Sequence, residues 1–225
     1  MAGLFITATG TEIGKTHVAC GLIRHLRARG HFVDALKPVI TGFEPAEAET
    51  SDSGRLLEAL GRPVTAEEIA RISPWRFAAP LAPDLAARRE GRTVDFDALV
   101  RFSRTALREC RGTLLIEGIG GIMVPLDGHR TVLDWMVALR LPLIVVTGSY
   151  LGSISHTLTC LDVLQRRGLP ICALIVSETP AATVTMADTL DCLSRFAEGV
   201  PLFPLMRRGN GLDPAHVDKI LSQIQ

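Results

Sequence analysis

Three consecutive residues near the start of the chain, Gly14-Lys15-Thr16, are of the types that bind the phosphates of a nucleotide. A lysine supplies a positive charge for the β- and γ-phosphates, and a threonine hydroxyl can bind Mg²⁺. Gly10 and Gly14 have no side chains, so the backbone N–H groups of the loop can approach an anion closely. The segment therefore predicts a phosphate-binding loop for a nucleoside triphosphate with Mg²⁺.

Two regular elements must hold this loop in place. The apolar run Leu4–Ile6 precedes the loop and predicts a buried strand. After the loop, apolar residues recur as in an amphipathic helix, at Val18, Ala19, Leu22, Ile23 and Leu26. The start of such a helix favours an anion because its N–H groups are unpaired. Thr9 stands where the motif usually has a glycine, and a plain strand-to-helix turn with a solvated lysine stays open as the alternative.

Two charged residues lie at the ends of further apolar segments. The segment 31–39 predicts a second strand that ends in Lys37-Pro38. Glu117 follows the uninterrupted apolar run Leu114–Ile116, and glycines come directly after it. Ligands of open parallel sheets bind at the carboxyl ends of the strands, so both charged residues are candidates for the nucleotide site. Glu117 is placed to face a metal ion, and a surface glutamate at a turn is the alternative.

Asp52 and a later loop provide two more candidates. Asp52 precedes a helical pattern, for which Ser51 or Asp52 is by itself best interpreted as the N-cap. Leu141–Val146 predicts another buried strand, which is followed by the small residues of 147–153 and by a helix that starts near Ile154. This second strand, loop and helix start predicts a second anion site.

The composition limits the class of protein. The chain has 225 residues with 47% hydrophobic content, enough for one good-sized domain. Lys+Arg and Asp+Glu both number 24, which argues against nucleic-acid binding through phosphate contacts. No apolar run approaches the roughly 18 residues of a membrane span. The early core strand and five cysteines without a CxxC pair lead us to expect reduced thiols, no signal peptide and a cytoplasmic location.

Strands and helices alternate along the chain without repeats or a linker. The pattern predicts one α/β domain over residues 1–225, with a mostly parallel sheet of about seven strands and helices on both faces. Three prolines and two aromatic residues in Ser73–Pro83 predict an ordered excursion over the end of the sheet. A closing helix is expected to bury Val217, Ile220, Leu221 and Ile224.

Several segments taken in order resemble the dethiobiotin synthetases of biotin synthesis. They are GTEIGKT from Gly10, KPVITG from Lys37, Ser51-Asp52, LIEGIGGIMVPL from Leu115, the stretch with Pro74, Phe77, Pro80 and Pro83, and Glu90-Gly91. The resemblance covers nearly the whole chain and implies a P-loop NTPase fold. It also implies a ligase that joins CO2 to 7,8-diaminopelargonic acid with ATP and Mg²⁺, through a carbamate and a carbamic-phosphoric anhydride.

The resemblance implies a role for each matching residue. Thr16, Asp52 and Glu117 become the Mg²⁺ ligands, and the catalytic residues Lys15 and Lys37 flank the transferring phosphoryl group and the carbamate. The implied nucleotide-binding residues are Gly10, Thr11, Glu12, Ile13, Gly14, Lys15, Thr16, His17, Glu117, Gly118, Ser177 and Glu178. The implied substrate-binding residues are Lys37, Thr41, Gly118, Gly120, Ser153, Ile154 and Ser155. The resemblance further implies a homodimer, in which the helix start at residues 152–155 binds the substrate carboxylate of the neighbouring subunit.

Some residues depart from the family pattern. Ala8 stands at the first loop glycine, Gly10 replaces a common aspartate, and Ser177 replaces an asparagine that reads adenine, so the preferred base stays open. One alternative is another P-loop amidoligase or kinase, which gives no reason for KPVITG. A second is a nucleotide-switch ATPase of the chromosome-partitioning type, which usually has a lysine at the place of Gly10.

Overall fold

A parallel six-stranded sheet forms the centre of the computed structural model, which describes residues 2–180, 182, 184–208 and 211–223. The strands are Ala2–Ala8 (β1), Val33–Leu36 (β2), Val39–Thr41 (β3), Trp75–Phe77 (β4), Thr113–Glu117 (β5), Leu143–Gly148 (β6), Ile171–Ser177 (β7) and Leu202–Leu205 (β8). The main sheet has the order β2-β5-β1-β6-β7-β8, and β3 and β4 pair separately.

Helices flank this sheet on both faces. They are Lys15–Ala28 (α1), Asp52–Ala59 (α2), Ala66–Ile72 (α3), Pro83–Arg89 (α4), Phe96–Glu109 (α5), Val132–Leu139 (α6), Ser153–Arg166 (α7), Met186–Phe196 (α8) and Pro214–Leu221 (α9), with a 3-10 turn at Pro45–Glu47. Because both faces are covered, the inner strands are apolar without alternation. In β1, Leu4, Phe5 and Ile6 are fully buried, and Phe5 packs edge-on against Trp135 of α6 at 4.8 Å. These observations confirm the α/β fold with a mostly parallel sheet.

The predicted single strand over 31–39 was wrong. β2 ends at Leu36, and residues 39–41 form β3, which pairs with β4 in a second, two-stranded parallel sheet. Pro38 separates the two strands because it has no N–H to donate to a ladder. Its carbonyl accepts a hydrogen bond from the backbone of Trp75 at 3.0 Å. The main sheet therefore has six strands rather than about seven, and the excursion 73–83 contains a short strand.

Other element boundaries agree with the sequence within two or three residues. Helix α7 begins at Ser153, one residue before the predicted start. The closing helix α9 buries Val217 and Ile220, whereas Ile224 lies outside the described residues. One hydrophobic core cluster extends from Leu4 to Ile220, and the five cysteines are free thiols. Among the described residues, no helix is long and apolar enough to cross a membrane.

Every pairing in the main sheet is parallel, so the carboxyl ends of its strands lie along one edge. The loop after β1 contains the predicted phosphate-binding motif. Lys37 follows β2 and Glu117 ends β5, which lies between β2 and β1. Ser177 ends β7 at the same edge. The topology therefore gathers the predicted charged residues at the edge where open α/β sheets bind their ligands.

Candidate active site

The loop between β1 and α1 has a backbone shape that only a few residue types adopt easily. Gly14 has φ +103°, in the left-handed region that favours glycine, and it directly precedes the first residue of α1. A β-carbon at Gly14 would lie 3.2 Å from Ser177 Oγ, so the end of β7 closes one side of the loop. Glu12 also has a positive φ, at +58°. The loop thus leads directly into the N-terminus of α1, where unpaired N–H groups favour an anion.

The side chain of Lys15 folds back over this loop. Its ammonium donates a hydrogen bond to the carbonyl oxygen of Gly10 at 3.2 Å, and the residue is buried. Burial and the nearby charge of Lys37 lower the pKa of Lys15 to about 8, although Glu117 and Asp52 oppose this shift. The positive charge is therefore held at the phosphate loop at neutral pH.

Lys37 is the central cation of the site. Its Nζ lies 2.6 Å from Glu117 Oε1 and 3.1 Å from Asp52 Oδ2, and it donates to the carbonyl oxygen of Gly118 at 2.9 Å. Burial lowers the pKa of Lys37, but the two carboxylates outweigh burial and raise it above its ordinary value. Burial likewise raises the pKa of Asp52, but the nearby lysine charges and the hydrogen bonds from Thr16 and Lys37 together outweigh burial and hold that pKa below its ordinary value. The family resemblance implies that these three residues share one site, and the structure shows that Lys37 bridges the two carboxylates.

The predicted metal ligands also lie together. Thr16 Oγ1 donates to Glu117 Oε1 at 2.8 Å, and Lys37 links Glu117 to Asp52. Glu117 Oε2 is buried and has no hydrogen-bond partner in the described part of the chain. One hydroxyl and two carboxylates, of which Glu117 has an unpaired buried oxygen, form the all-oxygen donor set that Mg²⁺ prefers. Ser51 is the N-cap of α2, since its hydroxyl accepts from Gly54 N at 3.1 Å, which leaves the Asp52 carboxylate for the cluster.

A cleft of about 810 Å³ opens over this cluster. Ten of its lining residues were predicted from the sequence: Thr11, Glu12, Gly14, Lys15, Thr16, His17, Lys37, Thr41, Asp52 and Gly120. Of the other predicted residues, Glu117 and Gly118 bond Lys37, and Ser177 lies beside Gly14. The side chain of Ile13 packs in the core, and Gly10 borders a second cleft of about 520 Å³. The Glu178 side chain accepts from the backbone N–H of Arg207 at 2.9 Å.

The start of α7 does not line the 810 Å³ cleft. Ser153 is buried, and its N–H donates to the carbonyl oxygen of Tyr150 at 3.0 Å. His156 N donates to the Gly152 oxygen, as expected for the first full helical turn. Ile154 and Ser155 therefore supply the N–H groups of this helix start that have no partner among the described residues.

Comparison with known proteins identifies the family of this chain. A family model described as an AAA domain matches residues 2–203. The chain is 48% identical over 213 residues to the ATP-dependent dethiobiotin synthetase BioD of Phenylobacterium zucineum (strain HLK1), covering 93% of this chain and 91% of that protein. It is 46% identical over 226 residues to the BioD protein of Caulobacter sp. (strain K31), covering 100% and 96%. The chain belongs to the ATP-dependent dethiobiotin synthetase family.

Solved structures share the fold of this dethiobiotin synthetase family member. The septum site-determining protein MinD of Pyrococcus horikoshii OT3, complexed with Mg-ADP, matches with a TM-score of 0.54 and 16% identity, covering 99% of this chain and 86% of that one. The MinC:MinD cell division complex of Aquifex aeolicus matches with a TM-score of 0.55 and 13% identity, covering 98% of this chain and 85% of that one. At such low identity the likeness shows the P-loop NTPase fold alone.

The dethiobiotin synthetase cleft also contains residues that the sequence analysis did not place there. They are Ile40, Arg55, Pro80, Leu81, Ala82, Pro83, Ile119 and Val124. Arg55 lies three residues after Asp52 on α2, so helical periodicity from Asp52 could have identified it. Pro80 and Pro83 lie in the stretch that was predicted to pass over the end of the sheet, and in the structure both line this cleft.

Proposed function

We propose that this protein is an ATP-dependent dethiobiotin synthetase that joins CO2 to 7,8-diaminopelargonic acid and closes the ureido ring of dethiobiotin. The observation that carries this proposal is the position of Lys37, a buried cation held by Glu117 and Asp52 next to the phosphate loop. A phosphoryl transfer to a carbamate requires positive charge between two anions, and Lys37 together with Lys15 provides it.

The proposed reaction has three steps. One amine of the substrate adds to CO2 and loses a proton, which gives a carbamate. A carbamate oxygen then attacks the γ-phosphorus of ATP, the bond from that phosphorus to the bridging oxygen breaks, and ADP leaves. The second amine attacks the carbonyl carbon of the resulting anhydride, loses a proton and displaces phosphate as the ring closes. The protein positions the carbamate in line with the γ-phosphate and neutralises their charge.

The lining of the cleft fits these two reactants. Lys15 and the N–H groups at the start of α1 lie on the phosphate side. Ile40, Leu81 and Val124 provide an apolar wall for the aliphatic chain of the substrate, and Thr41 adds a hydroxyl close to Lys37 in sequence. Lys37 lines the same cleft, and we assign it to the carbamate and the transferring phosphoryl group.

Thr16, Asp52 and Glu117 are the residues proposed to hold Mg²⁺, as supported by the unpaired Oε2 of Glu117. When bound, Mg²⁺ would neutralise charge on the triphosphate. For the nucleoside, we propose that the end of β7 lies beside the base, because a β-carbon at Gly14 of the phosphate loop would lie 3.2 Å from Ser177 Oγ. Glu178 and the exposed His17 complete the proposed nucleotide-binding residues.

We further propose a cytoplasmic homodimer in which the start of α7 binds the substrate carboxylate of the neighbouring subunit. The N–H groups of Ile154 and Ser155, for which the described residues offer no partner, support this role. The exposed large apolar side chains include Leu151 beside the helix start and Met123 beside the second cleft. Leu151→Glu is expected to give a monomer in sedimentation velocity and to remove most of the activity, and a fully active monomer would refute the dimer site.

The test of the reaction is phosphate release by purified protein with ATP, Mg²⁺ and bicarbonate, with and without 7,8-diaminopelargonic acid. Release that depends on the diamine, together with a cyclic urea product identified by mass spectrometry, is the expected result. Release that is indifferent to the diamine, or no release, would overturn the proposed function. Replacing ATP with other nucleoside triphosphates in the same assay would measure the base preference beside Ser177.

A further inference from the structure

Three threonine hydroxyls, two of them from buried residues, form a continuous chain between the phosphate loop and α7. Thr9 Oγ1 lies 3.1 Å from Thr147 Oγ1, which lies 2.7 Å from Thr157 Oγ1. Thr157 Oγ1 in turn lies 2.6 Å from the carbonyl oxygen of Ser153. Thr147 and Thr157 are completely buried, and neither lines the cleft described above. We call these three residues the threonine relay.

The direction of every hydrogen bond in the threonine relay follows from counting hydrogens. A hydroxyl has one hydrogen to donate, and a carbonyl oxygen can only accept. Thr157 must therefore donate to the Ser153 oxygen, which obliges it to accept from Thr147. Thr147 has then used its hydrogen and must accept from Thr9. All three hydroxyls are satisfied in a single orientation, and such a chain strengthens each of its bonds.

We infer that Thr147 is a positioning residue, which fixes the start of the phosphate loop against the first turn of α7. Thr9 is the residue directly before Gly10, whose carbonyl oxygen accepts the hydrogen bond from the Lys15 ammonium. The threonine relay thus holds the backbone that in turn holds Lys15. Thr9 stands where the P-loop motif usually has a glycine, and its hydroxyl is the end of the threonine relay that anchors the phosphate loop.

The inference rests on the proposed function, in which Lys15 binds the triphosphate. Loss of the relay frees the Thr9 side chain, so the loop is less well ordered for the phosphates. The effect should appear in the KM for ATP rather than in kcat, because the relay does not touch the reacting atoms. A fivefold change is the size expected for one neutral hydrogen bond.

The test compares Thr147→Val, Thr157→Val and the double variant in the diamine-dependent assay. Each single variant is expected to raise the KM for ATP about fivefold with kcat within about twofold, and Thr147→Ser should restore the wild-type value. Each substitution interrupts the same series of hydrogen bonds, so the double variant should raise the KM for ATP no more than either single variant does. Thr7→Val, a matched change two residues before Thr9 on β1, should leave the KM for ATP unchanged.

Two results would overturn the positioning role. One is a wild-type KM for ATP in Thr147→Val, or in Thr157→Val if the first variant does not fold. The other is a double variant whose effect is the product of the single effects, which would mean independent local damage. If the wild-type protein shows no diamine-dependent release, the proposed function fails separately. The dissociation constant of a non-hydrolysable ATP analogue for the same variants then tests the relay by the same criteria.

Discussion

Lys37 and Glu117 form a buried ion pair, with 2.6 Å between Nζ and Oε1 and side chains that are 2% and 1% exposed. The pair joins the carboxyl ends of β2 and β5, which are neighbours in the sheet. Because the two carboxylates raise the pKa of Lys37 above its ordinary value, this lysine keeps its proton at neutral pH. We therefore propose that Lys37 acts as a fixed positive charge rather than as a general base.

Replacing one member of this ion pair should cost more than replacing both. Lys37→Met leaves the buried Glu117 carboxylate without its nearest counter-charge and is expected to lower the free energy of unfolding by about 3 kcal/mol. Adding Glu117→Gln should recover most of that loss, because no uncompensated charge then remains at the pair. Neither variant should turn over, whereas Lys37→Met should bind nucleotide within several-fold of wild type. Urea denaturation, calorimetric nucleotide binding and phosphate release measure these effects, and an active Lys37→Met enzyme would refute the carbamate role.

The affinity for ATP should fall at alkaline pH because of Lys15. Its pKa is lowered from 10.5 to about 8 by burial and by Lys37, so the nucleotide-free protein loses this charge above pH 8. The phosphates bind the charged form, and the dissociation constant should rise by roughly tenfold per pH unit above pH 8. Lys15→Arg stays charged over this range and should show no such rise. Calorimetry from pH 7 to pH 9.5 provides the comparison, and parallel profiles for the two proteins would contradict the assignment.

The same pKa predicts the contribution of Lys15 to stability. The folded-state pKa of Lys15 lies below its unfolded value, so between about pH 8 and 10.5 the unfolded state binds more protons at this residue. Lys15 therefore lowers the free energy of unfolding below pH 8, and this destabilisation decreases as the pH rises through this window. Lys15→Met should remove that pH dependence. The measurement is the change in the free energy of unfolding between pH 7.5 and pH 9.5, compared between the wild type and Lys15→Met.

Thr7→Val should not destabilise the protein. Thr7 Oγ1 is buried and has no hydrogen-bond partner among the described residues, so valine of the same shape removes an unsatisfied group. The free energy of unfolding is expected to stay unchanged or to rise by up to about 1 kcal/mol. Thr131→Val is the matched contrast, because the Thr131 hydroxyl bonds Asp134 at 2.8 Å in the capping box of α6. That variant should lose about 1 kcal/mol, and equal losses in both variants would contradict the prediction.

Two helical glycines should respond to alanine in opposite directions. A β-carbon at Gly54 of α2 would collide with the carbonyl oxygen of Ala48 and lie 2.7 Å from that of Glu49. The segment that follows the 3-10 turn must then move away from the helix that carries Asp52, so Gly54→Ala should lose about 1–3 kcal/mol of the free energy of unfolding. Gly21 of α1 has open space around it, and Gly21→Ala should gain up to about 1 kcal/mol. Urea denaturation of the two variants measures both changes, and similar values would show that the close approach at Gly54 is unimportant.

Local patterns were sufficient to predict most of the elements and several residues of the site. Gly14-Lys15-Thr16 between an apolar strand and an amphipathic helix specifies the phosphate loop, because the loop shape and the helix start both follow from neighbouring residues. Glu117 at the end of a continuous apolar run was correctly expected at the edge of the sheet. The segment 31–39 was predicted as one strand because its apolar residues continue past Pro38, and only the pairing of β3 with β4 divides it.

The sequence by itself therefore determined the order of the elements, the phosphate loop and the family resemblance, which are properties of adjacent residues. Only the tertiary structure decided which distant residues meet. Lys37 and Glu117 are 80 positions apart, and Thr9 and Thr147 are 138 positions apart. Those contacts depend on the strand order, which places β5 and β6 on either side of β1. Strand order results from packing all the helices against one sheet, and no local pattern of apolar and polar residues contains that information.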